Sequence, residues 1–398
     1  MILERCIVLA LAFAASPSVL AGPDGEGTWT ANLRYRHESV DDAAFARAAE
    51  ADTLRLRLGW SRKFASGISV GLEGEGVAEL NDRFNSGANR QTAYPMVGDA
   101  RAVELNQAWA GWRGAHLGAV LGRQRIALDN QRFIGNGGWR QNEQTFDALS
   151  LDAKPSDRLV LRYHYLDRVH RAAGDDAIDP LARERDLRGH LVNAAWTLPQ
   201  GSLVGYAYRV QDRDVATAST QTYGLRWAGS RVAGANTFGW TMESAMQRDH
   251  ADNPRDVEAT YWLAEGSLVR SGVTGKLGWE HLGGDGTSAF QTPLATLHAF
   301  NGWADKFTVT PGNGLEDRYA SVGGKWGSGR LQDKLAWTLA FHDYRADRGG
   351  ARYGTEWDAS LGFPLPGGLV GLVKLADYRS DGFARDTRKA WLQVEWAY

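Results

Sequence analysis

Residues 28–38 read Thr-Trp-Thr-Ala-Asn-Leu-Arg-Tyr-Arg-His-Glu, and residues 53–60 read Thr-Leu-Arg-Leu-Arg-Leu-Gly-Trp. In the first stretch Trp29, Ala31, Leu33 and Tyr35 take alternate positions, with Asn32, Arg34 and Arg36 between them. In the second, Leu54, Leu56, Leu58 and Trp60 alternate with Arg55 and Arg57. Successive side chains of a strand point to opposite faces, so each segment has one apolar and one charged side. A soluble sheet would pack the apolar side on a core. A wide membrane barrel inverts that sense, turning the apolar side to lipid and the charged side to water.

The alternation recurs along the chain. Further segments begin near Ile68, Val103, Leu117, Thr145, Leu159, Val192, Leu203, Thr220, Thr237, Val257, Val273, Arg318, Leu331, Thr355, Leu369 and Lys389. With the first two they predict about 18 strands of about ten residues, the length of tilted membrane strands. The faces separate least cleanly near Thr145. Connections alternate as well: short at 63–67, 113–116, 154–157, 199–202 and 364–368, long and polar at 39–51, 82–101, 126–143, 169–186, 284–317 and 379–388. Short periplasmic turns and long external loops are the bacterial barrel pattern, and an even strand count puts both ends on the turn side. The predicted fold is therefore all-β, a transmembrane up-and-down antiparallel β-barrel over residues 22–398.

The ends and the composition agree. Arg5 precedes an apolar run from Ile7 to Ala15, and Val19-Leu20-Ala21 has the small residues of a cleavage site. Residues 1–21 thus read as a cleaved N-terminal signal peptide. The chain's one cysteine, Cys6, lies in that leader, leaving no disulfide framework or thiolate metal site in the mature chain. Ala390, Leu392, Val394, Trp396 and Tyr398 form a terminal lipid-facing stripe ending in an aromatic residue. Sixteen Trp and 47 Gly in a mildly hydrophilic chain suit a sheet with one face in lipid. A formal charge of −2 gives no support to nucleic-acid binding.

A barrel this wide leaves an aqueous lumen unless loops fill it, so function is sought on inward positions. The alternation assigns Arg34, Arg36, Arg55, Arg57, Arg123, Arg125, Arg162, Arg226, Lys276, Lys325 and Lys374 to the lumen. Acidic candidates there are Glu73, Glu75, Glu79, Glu104, Glu243, Glu280, Glu356 and Glu395. Guanidinium groups bind carboxylates in bidentate fashion and stay charged, so such a set favours anionic solutes. The bland alternative is that inward charges only pair across neighbouring strands. Gly67-Ile68-Ser69-Val70-Gly71 matches a nucleophile pattern but opens a strand where the motif needs a strand-to-helix elbow. His164 and His170 lack a ligand cluster, and Gly283-Gly284-Asp285-Gly286 reads as turn chemistry. No catalytic constellation, metal site or cofactor is expected.

Residues 122–149, Gly-Arg-Gln-Arg-Ile-Ala-Leu-Asp-Asn-Gln-Arg-Phe-Ile-Gly-Asn-Gly-Gly-Trp-Arg-Gln-Asn-Glu-Gln-Thr-Phe-Asp-Ala-Leu, resemble the alginate-export family of bacterial outer-membrane channels. Residues 290–307, Phe-Gln-Thr-Pro-Leu-Ala-Thr-Leu-His-Ala-Phe-Asn-Gly-Trp-Ala-Asp-Lys-Phe, are similar to a second segment of that family. The resemblance implies a monomeric barrel with an Arg-rich lumen that passes a polyuronate outward. It carries over Arg123 and Arg125 from Gly-Arg-Gln-Arg and Arg140 from Trp-Arg-Gln-Asn, with Asp129 and Asp147 as candidate partners.

Four functions follow as expectations. The leading one is a channel for anionic saccharides such as alginate, embedded in outer-membrane lipid, its direction set by gradients and periplasmic export partners. The alternative is a porin taking up small carboxylated solutes. A barrel enzyme would need a Ser/His or Asp/His constellation at the rim, which the sequence does not offer. A structural barrel would have a plugged lumen.

Overall fold

The computed structural model describes residues 20–21, 27–326 and 334–398. The predicted signal peptide lies outside the described residues apart from β1 (Leu20–Ala21), whose backbone pairs with Trp29 and Thr28. Eighteen strands follow: β2 (Thr28–Asp42), β3 (Ala49–Lys63), β4 (Ile68–Glu79), β5 (Ala102–Arg113), β6 (Leu117–Gln124) and β7 (Thr145–Ser156) lead. Next come β8 (Leu159–His170), β9 (Glu184–Leu198), β10 (Gly201–Asp212), β11 (Thr220–Ala233), β12 (Asn236–Asp249) and β13 (Glu258–Arg270). The last are β14 (Val273–Leu282), β15 (Leu315–Trp326), β16 (Leu335–Arg345), β17 (Arg352–Pro364), β18 (Val370–Ser380) and β19 (Thr387–Ala397). Each pairs antiparallel with the next, and β19 pairs with β2, with Glu395 opposite Arg34. Closure removes sheet edges, which in hydrocarbon would leave backbone groups unpaired at about several kcal/mol each. Tyr398 seals the seam, its N–H donating to Ala31 O at 2.8 Å while Ala31 N–H donates to Tyr398 O at 2.9 Å.

All eighteen predicted segments are strands, with shifted ends. The ladder runs past the apolar alternation at the loop side, so β2, β3 and β9 reach 15 residues. Their outward side chains there are polar: His37, Ser39 and Asp41 on β2, Glu184, Asp186, Arg188 and His190 on β9. Lipid ends before the sheet does, so a hydrophobicity pattern undercounts the strand. The expected loops 39–51, 169–186 and 379–388 shrink to 43–48, 171–183 and 381–386. The expected turn 154–157 moves to 157–158, because Pro155 is accommodated in β7 where the ladder register shifts. The segment expected from Leu331 begins in 327–333, outside the described residues, and its strand is described from Leu335.

Apart from Arg123 on β6 and Asp147 on β7, the faces are as expected. Leu56, Leu58, Leu72, Leu121, Met242, Leu277 and Leu375 are exposed on the outside, Val103 to 89%. Tryptophans mark the turn-side border, as in Trp29 against Trp60 at 6.5 Å and Trp227 against Trp240 at 5.4 Å. Inside, Arg36, Glu38, Arg55, Glu75, Glu243, Glu280, Asp317 and Glu356 are buried. The interior also holds a large apolar cluster, which the alternation alone does not anticipate. It is built by loops that fold inward.

Candidate functional site: a lumen closed in by two loops

The loop 125–144 leaves β6 and meets the loop 283–314 inside the barrel. Ile134 and Leu294 form a parallel bridge, and Gly135 N–H donates to Leu294 O at 2.9 Å. Thr296 N–H reaches Gln131 O at 3.0 Å, and the Gln144 amide donates to Gly135 O at 2.8 Å and Leu294 O at 3.0 Å. These bonds satisfy backbone groups that burial would otherwise strand. Phe133 anchors the apolar side, 5.4 Å from Tyr206, 5.3 Å from Tyr261 and 5.7 Å from Phe290. The wall offers tyrosine there because each hydroxyl finds a carboxylate: Tyr206 donates to Glu243 and Tyr261 to Glu280, both at 2.8 Å.

Toward β2, β3 and β19 the same loop is held by charge. Arg36 donates to Asp99 at 3.0 Å, to Gln393 at 2.7 Å and to Trp139 O, and lies 4.2 Å from the Trp139 ring. Asp99, from the loop 80–101, also accepts Gln141 N–H at 2.9 Å. Arg34 donates to Glu395 at 3.1 Å and toward the carbonyls of Gly138, Trp139 and Arg140. Arg55 reaches Gln141 O at 3.3 Å and Asn32. Arg140 bridges Glu38 and Asp305, each at 3.0 Å, and Lys389 meets Asp305 at 2.8 Å. Arg132 is buried among Glu280, Thr292 and Asn301.

Lys374 occupies an aromatic box, 4.0 Å from the Trp139 ring centroid and 3.8 Å from that of Trp303. It donates to His298 Nε2 at 2.6 Å, and His298 Nδ1 lies 2.8 Å from Asp305. Burial, overcoming the attraction of Asp305 and assisted by the Lys374 charge, keeps His298 well below its usual pKa. Gly302 enters the wall at positive φ, where a side chain would strike Tyr344 and Glu356. Beside it the Ala304 N–H donates to Glu356 at 2.6 Å.

A second group of inward charges keeps contact with solvent. Arg125 pairs with both Glu73 and Glu143 and retains 33% side-chain exposure, and Lys276 pairs with Glu265 at 3.0 Å with 29%. Arg57 meets Glu75 and, at 3.6 Å, Glu143. Arg226 meets Glu243 at 2.6 Å. Burial alone would raise the Glu143 pKa, but the Arg57 and Arg125 guanidiniums hold it down at about 2. Asp129 accepts from Asn193 at 2.9 Å. Glu104 and Arg162 are half-buried at inward register positions, and Lys325 is exposed at the turn-side end of β15.

Two assignments are corrected. Leu117 and Leu121 are exposed on the lipid side, and Arg123 shares their parity on β6. Its partner Asp147, at 2.9 Å, shares the parity of the exposed Leu151 on β7. The pair therefore sits on the outer wall near the loop-side rim, with His170 on Asp147 at 2.9 Å. Arg125 faces inward because β6 ends at Gln124 and the chain turns into the barrel. Residues not singled out from the sequence but central to the inner loops are Asp99, Arg132, Trp139, Glu143, His298, Asn301 and Asp305. Most lie in the two segments that carry the family resemblance, which is where they could have been sought. Among the described residues, His281, Glu316 and Asp347 bring ligand atoms within 4.8 Å of one another, on the outer rim away from the lumen.

A closed eighteen-strand barrel, a lipid-facing belt and a charged interior define an outer-membrane β-barrel channel. The chain belongs to the alginate-export family, whose model matches residues 28–285. No curated protein matches it. The structure is similar to OccAB3 of Acinetobacter baumannii, with a TM-score of 0.73 and 13% identity, covering 94% of this chain and 99% of the other. It is also similar to the outer-membrane protein opdK of Pseudomonas aeruginosa, with a TM-score of 0.70 and 16% identity over 94% and 98% of the two chains. Pseudomonas aeruginosa OpdO gives 0.72 and 16% over 94% and 97%.

Proposed function

We propose that this channel passes carboxylate-bearing saccharides, oligouronates among them, along the inward cations that keep solvent contact. Arg57, Arg125, Arg140, Arg162, Arg226, Lys276 and Lys325 form the path in this reading, with Glu73, Glu75, Glu104 and Asp129 as resident counter-charges. The observation that carries it is Arg125: a guanidinium held by two carboxylates yet one-third exposed. Such a group can exchange part of its hydration for a passing carboxylate without releasing Glu73 or Glu143, and weak sites in series let a solute move on. Arg34, Arg36 and Arg55 lie outside the path, since their side chains are sealed beneath the loop, at 7% exposure or less.

A second reading, uptake of small carboxylated solutes, is favoured by the two loops joined across the interior, which narrow any route for a polymer. One opdK structure is described as being with vanillate, a small carboxylate. Planar-bilayer recordings decide. Arg125→Ala is expected to shift the reversal potential in a KCl gradient toward cation preference, and block by oligouronates to deepen with chain length. An unchanged reversal potential removes Arg125 from the path, and block by monomers alone selects the small-solute reading.

A further inference from the structure

The outer rim of the barrel, just beyond the lipid-facing belt on the loop side, carries a ring of charges. Around most of it each arginine has a carboxylate partner: Arg101 with Asp176, Arg123 with Asp147, Arg168 with Glu184 and Asp186. The same holds for Arg248 with Glu258, Arg318 with Glu316, and Arg345 and Arg352 with Asp343. Arg379 and Arg388 likewise meet Asp377. Among the outward arginines of the strands, one sector breaks the rule. Among the described residues, Arg188 on β9 and Arg209 on β10 have no carboxylate within ion-pair distance, and both are exposed. Asp186, two positions from Arg188, is already engaged by Arg168 at 2.7 Å.

The register assembles these groups. His190 stands directly opposite Arg209, and Arg188 opposite Gln211. Arg209 stands opposite Gln221 on β11, and Gln221 opposite Arg248 on β12. Tyrosines underlie them: Arg209 Nε donates to the Tyr223 hydroxyl at 2.9 Å, and Tyr163 OH lies 2.8 Å from His190 Nδ1. From the packed loops, Asp252 accepts from Gln211 at 3.4 Å. The neighbouring loop histidine, His250, feels the patch: burial first, then the Arg209 and His190 charges, push it below its usual pKa. One alternation toward the membrane, the outward residues include Val192 and Met246, and Leu225 stands one alternation further; all three are exposed and apolar. Two residues of strand span about 7 Å, so the cations stand at headgroup level.

We propose that Arg188, His190 and Arg209 bind the phosphate of an outer-leaflet glycolipid, the phosphorylated glucosamine headgroup of lipopolysaccharide. Arginine forks match phosphate oxygens in bidentate fashion, and the tyrosine shelf holds them at the right height. The apolar belt below receives the acyl chains, so phosphate and hydrocarbon are met by one continuous surface.

The full barrel in detergent tests this by native mass spectrometry against bisphosphorylated lipid A, monophosphorylated lipid A and inorganic phosphate. Arg188→Gln with Arg209→Gln is expected to weaken bisphosphorylated lipid A binding about tenfold or more. Arg379→Gln with Arg388→Gln, on another sector, is the control and is expected to change it less than about twofold. Wild-type protein should bind monophosphorylated lipid A more weakly, and inorganic phosphate at millimolar concentration should not compete. Heat-modifiable migration verifies folding, and Arg188→Lys with Arg209→Lys, which keeps the charge, should retain most of the binding. Equal binding by the Gln pair and wild type overturns the proposal. So does an equal loss in the control pair, or displacement of the lipid by free phosphate.

Discussion

Two stretches of the inner wall carry the same kind of residue in the same alternation and do different things. On β2 and β3, Arg36 and Arg55 are sealed, with 0% and 1% side-chain exposure, beneath the loop 125–144. At the end of β6 and on β14, Arg125 and Lys276 stay open to solvent. Strand position does not separate them. What separates them is cover: the loop backbone lies over Arg36 and Arg55, whereas Arg125, paired with Glu73 of the wall and Glu143 of the loop, and Lys276, paired with Glu265, each keep one side open. An inward arginine is a fastening where a loop lies on it and a candidate binding group where none does.

The largest way to test that division is to unfasten the loop. Arg36→Ala leaves Asp99 buried without its cation and strips Trp139 O of a donor. Breaking one partner of a buried pair costs about 3–5 kcal/mol. Protease cleavage within 125–144 should accelerate strongly, with a rise in channel current and noise, while Lys276→Ala should leave the cleavage near wild type. Unaltered cleavage in Arg36→Ala would show that the apolar seam around Phe133 holds the loop by itself.

Strand content and sidedness were legible because lipid imposes a period of two on every crossing segment. The inner loops were not, since their pairing joins Ile134 to Leu294, distant in sequence, through a single bridge with no periodicity to announce it. Nor could the alternation show that Phe146 and Ala148 turn inward to pack on that loop cluster while Asp147 looks out, which is why the faces of β7 do not separate cleanly. The resemblance in 122–149 and 290–307 named the right segments; it did not say that they touch.

Acid should unfasten the two loops at different points. In the folded chain His298 sits well below the ordinary histidine value of 6.5. A depressed group contributes stability above its unfolded pKa and loses it as pH falls toward the folded value. The loop 283–314 should therefore begin to weaken below about pH 6.5, as a second positive charge is forced against Lys374. Glu143, held down at about 2 from the ordinary glutamate value of 4.5, keeps its contribution until pH falls below 4.5 and loses it toward 2. Hydrogen exchange at pH 7, 5.5 and 3 should show residues 290–307 loosening first and 141–144 later. Simultaneous loosening would mean that the loops open as one unit.

The smallest effect lies within the motif Gly-Arg-Gln-Arg, where residues of one type two positions apart face opposite worlds. Arg123 shares the parity of Leu117 and Leu121, and that signal was present in the sequence, but the spacing to Arg125 suggested a common face. Because β6 ends between them, Arg125 turns to the lumen while Arg123 stays on the outer rim with Asp147, each partly exposed. A partly exposed pair contributes about 0–1 kcal/mol. Arg123→Ala should thus shift stability by no more than that and leave reversal potential and oligouronate block untouched, in contrast to Arg125→Ala. A change in ion selectivity with Arg123→Ala would place its charge within reach of the conduction path and would require the chain around Gly122 to turn the other way.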